Sequence, residues 1–209
     1  MKPDKKLYKR CEEAVDNRLS GKRLKHVHSV SEFAAQLAHV YGVNEFDAKI
    51  AGLLHDWDKL LKDEEFPARM EELGITPPDH VEFLWPVLHS FTGAEAVHRE
   101  FPELSDDIIS SIRNHTLGAI KMSDLDMVIF ISDIIEPRRK AYAGIQELRD
   151  EVGKVDLSTL YFHAYQQTMR SLIDRGRFIH PAAFDIWNGL VEANVKLDKS
   201  KQGDPNVVL

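Results

Sequence analysis

The chain has 209 residues, 43% hydrophobic and 29% charged, with a formal net charge of −7. Its length suits one sizeable core, so a single domain over residues 1–197 is expected, and its acidity speaks against a nucleic-acid polymer as partner, which calls for a basic surface. No run of about 18 uncharged apolar residues predicts a membrane span, no secretory signal is expected from the charged start MKPDKKLYKRCEEAVD, and the lone Cys11 allows no internal disulfide and suits a reducing, cytoplasmic setting.

Nearly every segment reads as helix, which predicts an all-α bundle. Residues 5–19 form a charged first helix ending near Ser20-Gly21. Over 23–41, His26, Val30, Phe33, Leu37 and Tyr41 share one stripe at spacings of three and four, and Gly42 closes the helix. Asn44 caps a third helix running to about Leu61, with Asp47 favouring the dipole of its first turn. Pro67, Pro77, Pro78 and Pro86 break residues 62–86 into irregular chain with one or two short helices. Further helices are expected at about 87–100, 105–115, 123–135, 140–152, 157–175 and 181–197, with Ser105 and Ser123 as caps. The polar tail, 198–209, reads as disordered.

Ten histidines are the unusual feature of the composition. The chemistry starts, however, at Asp133 in MVIFISDIIEP, a helix apolar nearly all round and therefore buried. A bare carboxylate there costs several kcal/mol, so it needs a metal, a cationic partner or a proton. His55-Asp56 in AGLLHDWDK ends the third helix, and adjacent side chains about 100° apart can both reach an ion near a helix end. Lys59 follows on the face of His55. His26 belongs to the apolar stripe, whereas His28 lies about 200° round with Ser31, Glu32, Ala35 and His39, so His26 points inward and His28 outward. Each of these residues has a purely structural alternative, a core hydrogen bond or a salt bridge. His89, on a face with Gly93 and Ala96, and His115, at the end of a helix with Ile108 and Ile112 inward, stay equally open in isolation.

Together they change meaning. An inward His, a His-Asp pair about two helices on and a buried Asp far downstream follow the ligand order of the HD superfamily of metal-dependent phosphohydrolases. Such an N/O set suits a divalent first-row transition metal, iron or manganese at least as well as zinc. The stretches RLKHVHSV (23–30), AGLLHDWDK (51–59), LHSFTGA (88–94), IRNHTLG (112–118), MSDLDMVIFISDIIEPRR (122–139) and PAAF (181–184) closely resemble the YqeK-type symmetrical bis(5′-nucleosyl)-tetraphosphatases. In their pattern an arginine stands three residues before the first ligand histidine and a valine four after it, as Arg23, His26 and Val30 do here.

The resemblance, which spans about residues 20 to 195, implies an HD-domain bundle with the metal site in its core, the ligands lying within about 23–137. It implies a dinuclear centre, iron first and manganese or another divalent metal as substitutes. His26, His55, Asp56 and Asp133 would hold one ion, and His89 and His115 the other, with Asp56 bridging. The implied reaction splits diadenosine tetraphosphate into two ADP. Asp56, Lys59 and Arg23 are the expected catalytic groups, and Arg23, Lys59, Thr116 and Arg138 the expected substrate contacts, because cations stabilise spreading phosphoryl charge. Asp58 and Asp63 read as solvated. The segment Leu117-Gly118-Ala119-Ile120-Lys121 lacks the basic or proline-containing stretch usual in the family, which leaves nucleotide preference open. A nucleotidase or phosphodiesterase acting on other nucleotides and a nucleotide-binding sensor are the competing readings, and a homodimer stays open.

Overall fold

The computed structural model describes residues 4–140 and 143–201. Among the described residues there are ten α-helices and no strand: α1 (Lys5–Arg18), α2 (Gly21–Tyr41), α3 (Glu45–Leu54), α4 (Phe66–Leu73), α5 (Trp85–Glu100), α6 (Asp106–Asn114), α7 (Asp124–Ile135), α8 (Ala143–Glu151), α9 (Leu157–Asp174) and α10 (Pro181–Lys201). Starts are set by side-chain caps: Asp4 accepts from Lys6 and Leu7 N–H, Asn44 from Phe46 and Asp47 N–H, and Ser123 and Asp126 cap α7 reciprocally. Gly42, at φ 70°, ends α2 in the left-handed conformation that only glycine takes without strain.

Helix α7 is the central element. Leu125, Met127, Val128, Ile129, Phe130, Ile131 and Ile135 are all buried, each large apolar side chain contributing about 1.5–3 kcal/mol over exposure. It packs against α2, α3, α6 and α9, and one apolar core runs from Leu7 in α1 to Ile186 in α10. Helices α2 and α3 touch backbone to backbone: a Cβ on Gly52 would stand 3.0 Å from Ser31 Cα. That contact corrects the outward placement of Ser31, which α3 buries and whose hydroxyl donates to Lys49 O at 2.7 Å.

Several boundaries differ from expectation. Helix α3 stops at Leu54, not near Leu61, because the chain tightens into three-residue turns: Trp57 N–H donates to Leu54 O, Lys59 N–H to Asp56 O and Leu61 N–H to Asp58 O. Pro86 opens α5 instead of preceding it, its missing N–H costing nothing in a first turn. Helix α10 continues to Lys201, since neither glycine nor proline falls between Leu197 and Gly203; the rest of the expected disordered tail, 202–209, lies outside the described residues. So do residues 141–142 of the helix expected over 140–152, which begins at Ala143.

Candidate metal centre

Five elements bring the six singled-out His and Asp side chains together: α2 gives His26, the turn after α3 gives His55 and Asp56, α5 gives His89, the residue after α6 is His115, and α7 gives Asp133. Asp56 divides the cluster. Its Oδ2 lies 3.3 Å from His55 Nε2 and 3.8 Å from His26 Nε2, and Asp133 Oδ1 stands 2.9 Å from that same His26 nitrogen. Its Oδ1 faces His89 Nε2 at 3.2 Å and His115 Nε2 at 3.8 Å, two nitrogens that are themselves 3.1 Å apart. One carboxylate thus faces two donor groups, one oxygen to each. Asp56, His55, His89 and His115 are buried, whereas the side chains of His26, Asp133 and Arg23 keep 13%, 22% and 30% exposure and form the open side.

The second ring nitrogens fix the tautomers. His55 Nδ1 donates to Gly52 O at 2.8 Å and His115 Nδ1 to Ile112 O at 2.6 Å. A carbonyl can only accept, so both Nδ1 atoms carry hydrogen, and in the neutral ring Nε2 is the nitrogen left to ligate a metal. His55 Nε2 is fully buried and makes no aligned hydrogen bond among the described residues, an orphaned acceptor of the kind a metal ion satisfies. His26 Nδ1 stands 3.2 Å from Glu136 Oε1, and the other Glu136 oxygen accepts from Ser29 Oγ and from the Arg138 N–H, both at 2.6 Å.

Charge follows from burial and from these neighbours. Burial resists ionisation of Asp56 and Asp133, but the surrounding imidazoles, with Arg139 beside Asp133, outweigh it and hold both well below the usual carboxylate range. Burial also disfavours an imidazolium at His55, yet Asp56 and Asp133 reverse the sign and raise it. His89, where burial prevails, is pushed down to about 4 and is neutral near pH 7, as a ligand must be. Burial also lowers Lys59, against the pull of Asp56. Three overlapping groups, His26-His55-Asp56, His55-His115-Asp133 and Asp56-His89-His115, could each hold a metal ion, their donor atoms lying within 4.8 Å of one another. Imidazole nitrogens and carboxylate oxygens suit a divalent transition metal.

The remaining candidates fall unevenly. Arg23 donates to Asp56 Oδ2. Lys59 Nζ lies 3.3 Å from Pro86 O and 3.4 Å from the His89 ring nitrogens. Thr116 is tied to Ser90 by a 2.9 Å hydroxyl pair. The Arg138 side chain is not brought to the cluster: it lines a surface hollow with Lys25, His28, Ser29 and Glu32, while its neighbour Arg139 pairs with Asp133 at 2.8 Å. Helix α7 ends at Ile135, so helical phase no longer chooses between the two arginines. Asp63 is exposed, but Asp58, expected in solvent, is buried between Arg18 and Arg69. Sequence reasoning also passed over Glu136 and Arg139. An acidic residue directly after the apolar run of ISDIIEP was the available signal for Glu136.

The HD domain model matches residues 23–138, a segment containing all six clustered residues. A Bacillus subtilis protein described as a symmetrical bis(5′-nucleosyl)-tetraphosphatase is 32% identical over 182 residues, covering 86% of this chain and 95% of its own. A Halalkalibacterium halodurans protein of the same description is 29% identical, over 85% of this chain and 93% of its own. The crystal structure of a predicted HD superfamily hydrolase involved in NAD metabolism, from Clostridium acetobutylicum, superposes with TM-score 0.81 at 30% identity, covering 89% of this chain and 97% of that one.

Proposed function

The chain belongs to the HD domain family, and from that footing we propose that it hydrolyses dinucleoside tetraphosphates symmetrically, taking diadenosine tetraphosphate to two ADP. The observation that carries the reading is Asp56, one oxygen toward His26 and His55 and the other toward His89 and His115. The relatives described as symmetrical tetraphosphatases, similar over more than four fifths of the chain, supply the substrate class. His26, His55, Asp56 and Asp133 would hold one ion and Asp56, His89 and His115 a second, with iron proposed as the native metal. Cys11 as the single thiol suits a reducing compartment, and the activity is placed in the cytoplasm.

Bound divalent ions would acidify a water and draw charge from phosphoryl oxygens. The chain's own groups do the rest. Asp56 ties the two donor groups into one rigid frame, and the carbonyls of Gly52 and Ile112 keep His55 and His115 in the ligating tautomer. Arg23 and Arg139 each spend an N–H on a cluster carboxylate, leaving further guanidinium donors for phosphate oxygens on the open side. Lys59, beside His89, sets an ammonium near the departing phosphate, and Arg139 takes the role first given to Arg138. Thr116 offers its hydroxyl to the same chain of phosphates. Water adds to one inner phosphorus, the bridging P–O bond between the two inner phosphates breaks, and each half leaves as a nucleoside diphosphate.

Turnover of diadenosine tetraphosphate, deoxynucleoside monophosphates and cyclic dinucleotides by the manganese- or iron-loaded protein tests the substrate. The dinucleoside tetraphosphate should exceed the others in kcat/KM by at least about 100-fold, roughly 2.7 kcal/mol of transition-state binding. Preference for a monophosphate or cyclic dinucleotide would move the protein to another HD phosphohydrolase class.

A further inference from the structure

The turn carrying Asp56 and Lys59 is held from behind by residues that belong to neither donor group. The Asp58 side chain has 0% exposure. Its Oδ1 accepts from Arg18, and its Oδ2 accepts from Arg69 Nε at 3.0 Å. Arg18 also donates Nε–H to Trp57 O at 2.7 Å, and its guanidinium carbon lies 4.9 Å from the centre of the Trp57 ring. On the opposite side α5 closes in: a Cβ on Gly93 would meet Trp57 Cβ at 3.5 Å and Asp58 N at 3.6 Å. Arg18 is the last residue of α1, outside the segment 23–138 that matches the HD model.

Residues 55–61 lack the longer hydrogen bonds of an α-helix and rely on the three short-turn bonds, whose geometry is poorer. Such a segment does not by itself fix the direction of a side chain. The α1–α2 corner supplies two arginines that grip it from opposite sides, Arg23 on Asp56 within the cluster and Arg18 on Asp58 behind it. We propose that Asp58 is a positioning residue for the metal centre: clamped by Arg18 and Arg69, it orients the turn so that Asp56 presents one oxygen to each donor group and Lys59 reaches His89. Helix α1 thereby becomes a working part of the site. A carboxylate between two arginines also stabilises the fold, so the test must separate aim from stability.

Asp58→Asn keeps the volume and removes the charge that holds both arginines. Affinity for manganese alone is measured by competition with a chromophoric chelator, alongside kcat and KM for diadenosine tetraphosphate, at a temperature where circular dichroism shows the variant fully folded. Affinity for manganese should fall by roughly 10- to 100-fold, as when support behind a ligand is lost. The clamp further predicts at least a tenfold loss in kcat with KM changed less than threefold. Glu72→Gln, which removes the exposed partner of Arg69, should leave all three quantities at wild-type values. A folded Asp58→Asn that binds manganese and turns over normally, with only its Tm lowered, would reduce Asp58 to a structural ion pair and overturn the proposal. If Asp58→Asn does not fold, Arg18→Gln, which leaves Asp58 on Arg69, is judged by the same criteria. The kinetic arm rests on the proposed function and the manganese arm does not. A wild type that binds manganese without cleaving the substrate contradicts that function alone, and metal affinity then decides on Asp58.

Discussion

Glu136→Gln removes one charge and almost no volume, and the hydrogen bonds around the residue dictate how His26 responds. One Glu136 oxygen accepts two donors, Ser29 Oγ and the Arg138 N–H, both at 2.6 Å, and the other faces His26 Nδ1 at 3.2 Å. In the variant the amide oxygen stays with the two donors, so the NH2 group turns to His26 Nδ1. A donor facing a donor is untenable, and His26 must move its proton to Nε2, where Asp133 Oδ1 at 2.9 Å accepts it. His26 then has no lone pair for a metal. Loss of a carboxylate behind a ligand histidine costs about 10- to 100-fold in metal affinity, or about 1.4–2.7 kcal/mol. No buried cation is stranded, so the metal-free protein should lose only about 0.5–1.5 kcal/mol, the worth of an ordinary hydrogen bond. Because metal stabilises the folded state by mass action, the Tm gap between wild type and Glu136→Gln should widen with saturating manganese and narrow with chelator. Imidazole nitrogen shifts should show the proton on His26 Nε2. An equal Tm gap in both conditions, together with an unchanged Nδ1–H tautomer, would refute the reasoning.

Three further outcomes rest on particular contacts. His26→Ala should abolish activity and lower metal content, whereas His28→Ala, which loses a pairing with Asp16 on the surface, should change neither; the reverse result would misplace the first ligand. Protein purified without chelator should carry close to two transition-metal ions per chain and His89→Ala close to one, while a single ion in both would break the dinuclear assignment. Asp156 caps α9, and the Ser158 hydroxyl and Thr159 N–H push its carboxyl down to about 2. Its stabilisation is therefore present above the unfolded carboxyl range near 4 and lost as pH falls through about 2. Asp156→Ala should cost about 1 kcal/mol in denaturant unfolding at pH 6, with the penalty shrinking between about pH 4 and 2; a cost that persists unchanged at low pH would contradict the cap.

Helical phase made the all-helical architecture and much of the cluster legible. A three-and-four stripe separated His26 from His28, and an apolar run marked α7 as central. What stayed hidden depends on contacts distant in sequence. Nothing in GLLHDWDK shows that α3 stops at Leu54, and the turn that follows is held by Arg18 and Arg23, more than thirty residues away. Asp58 resembles any charged residue in that stretch until Arg18 and Arg69 close on it. Ser31 looked outward because the stripe of α2 cannot show that α3 lies against its other flank. The choice between Arg138 and Arg139 was beyond sequence because α7 has already ended.

The central claim, a metal-centred symmetrical cleavage, is met most directly by hydrolysing diadenosine tetraphosphate in ¹⁸O-labelled water and weighing the products. The account predicts ADP as the sole nucleotide product, one of each pair carrying a single label on its terminal phosphate, with turnover lost on metal removal and restored by manganese. ATP with AMP, or cleavage that persists in chelator, would contradict it.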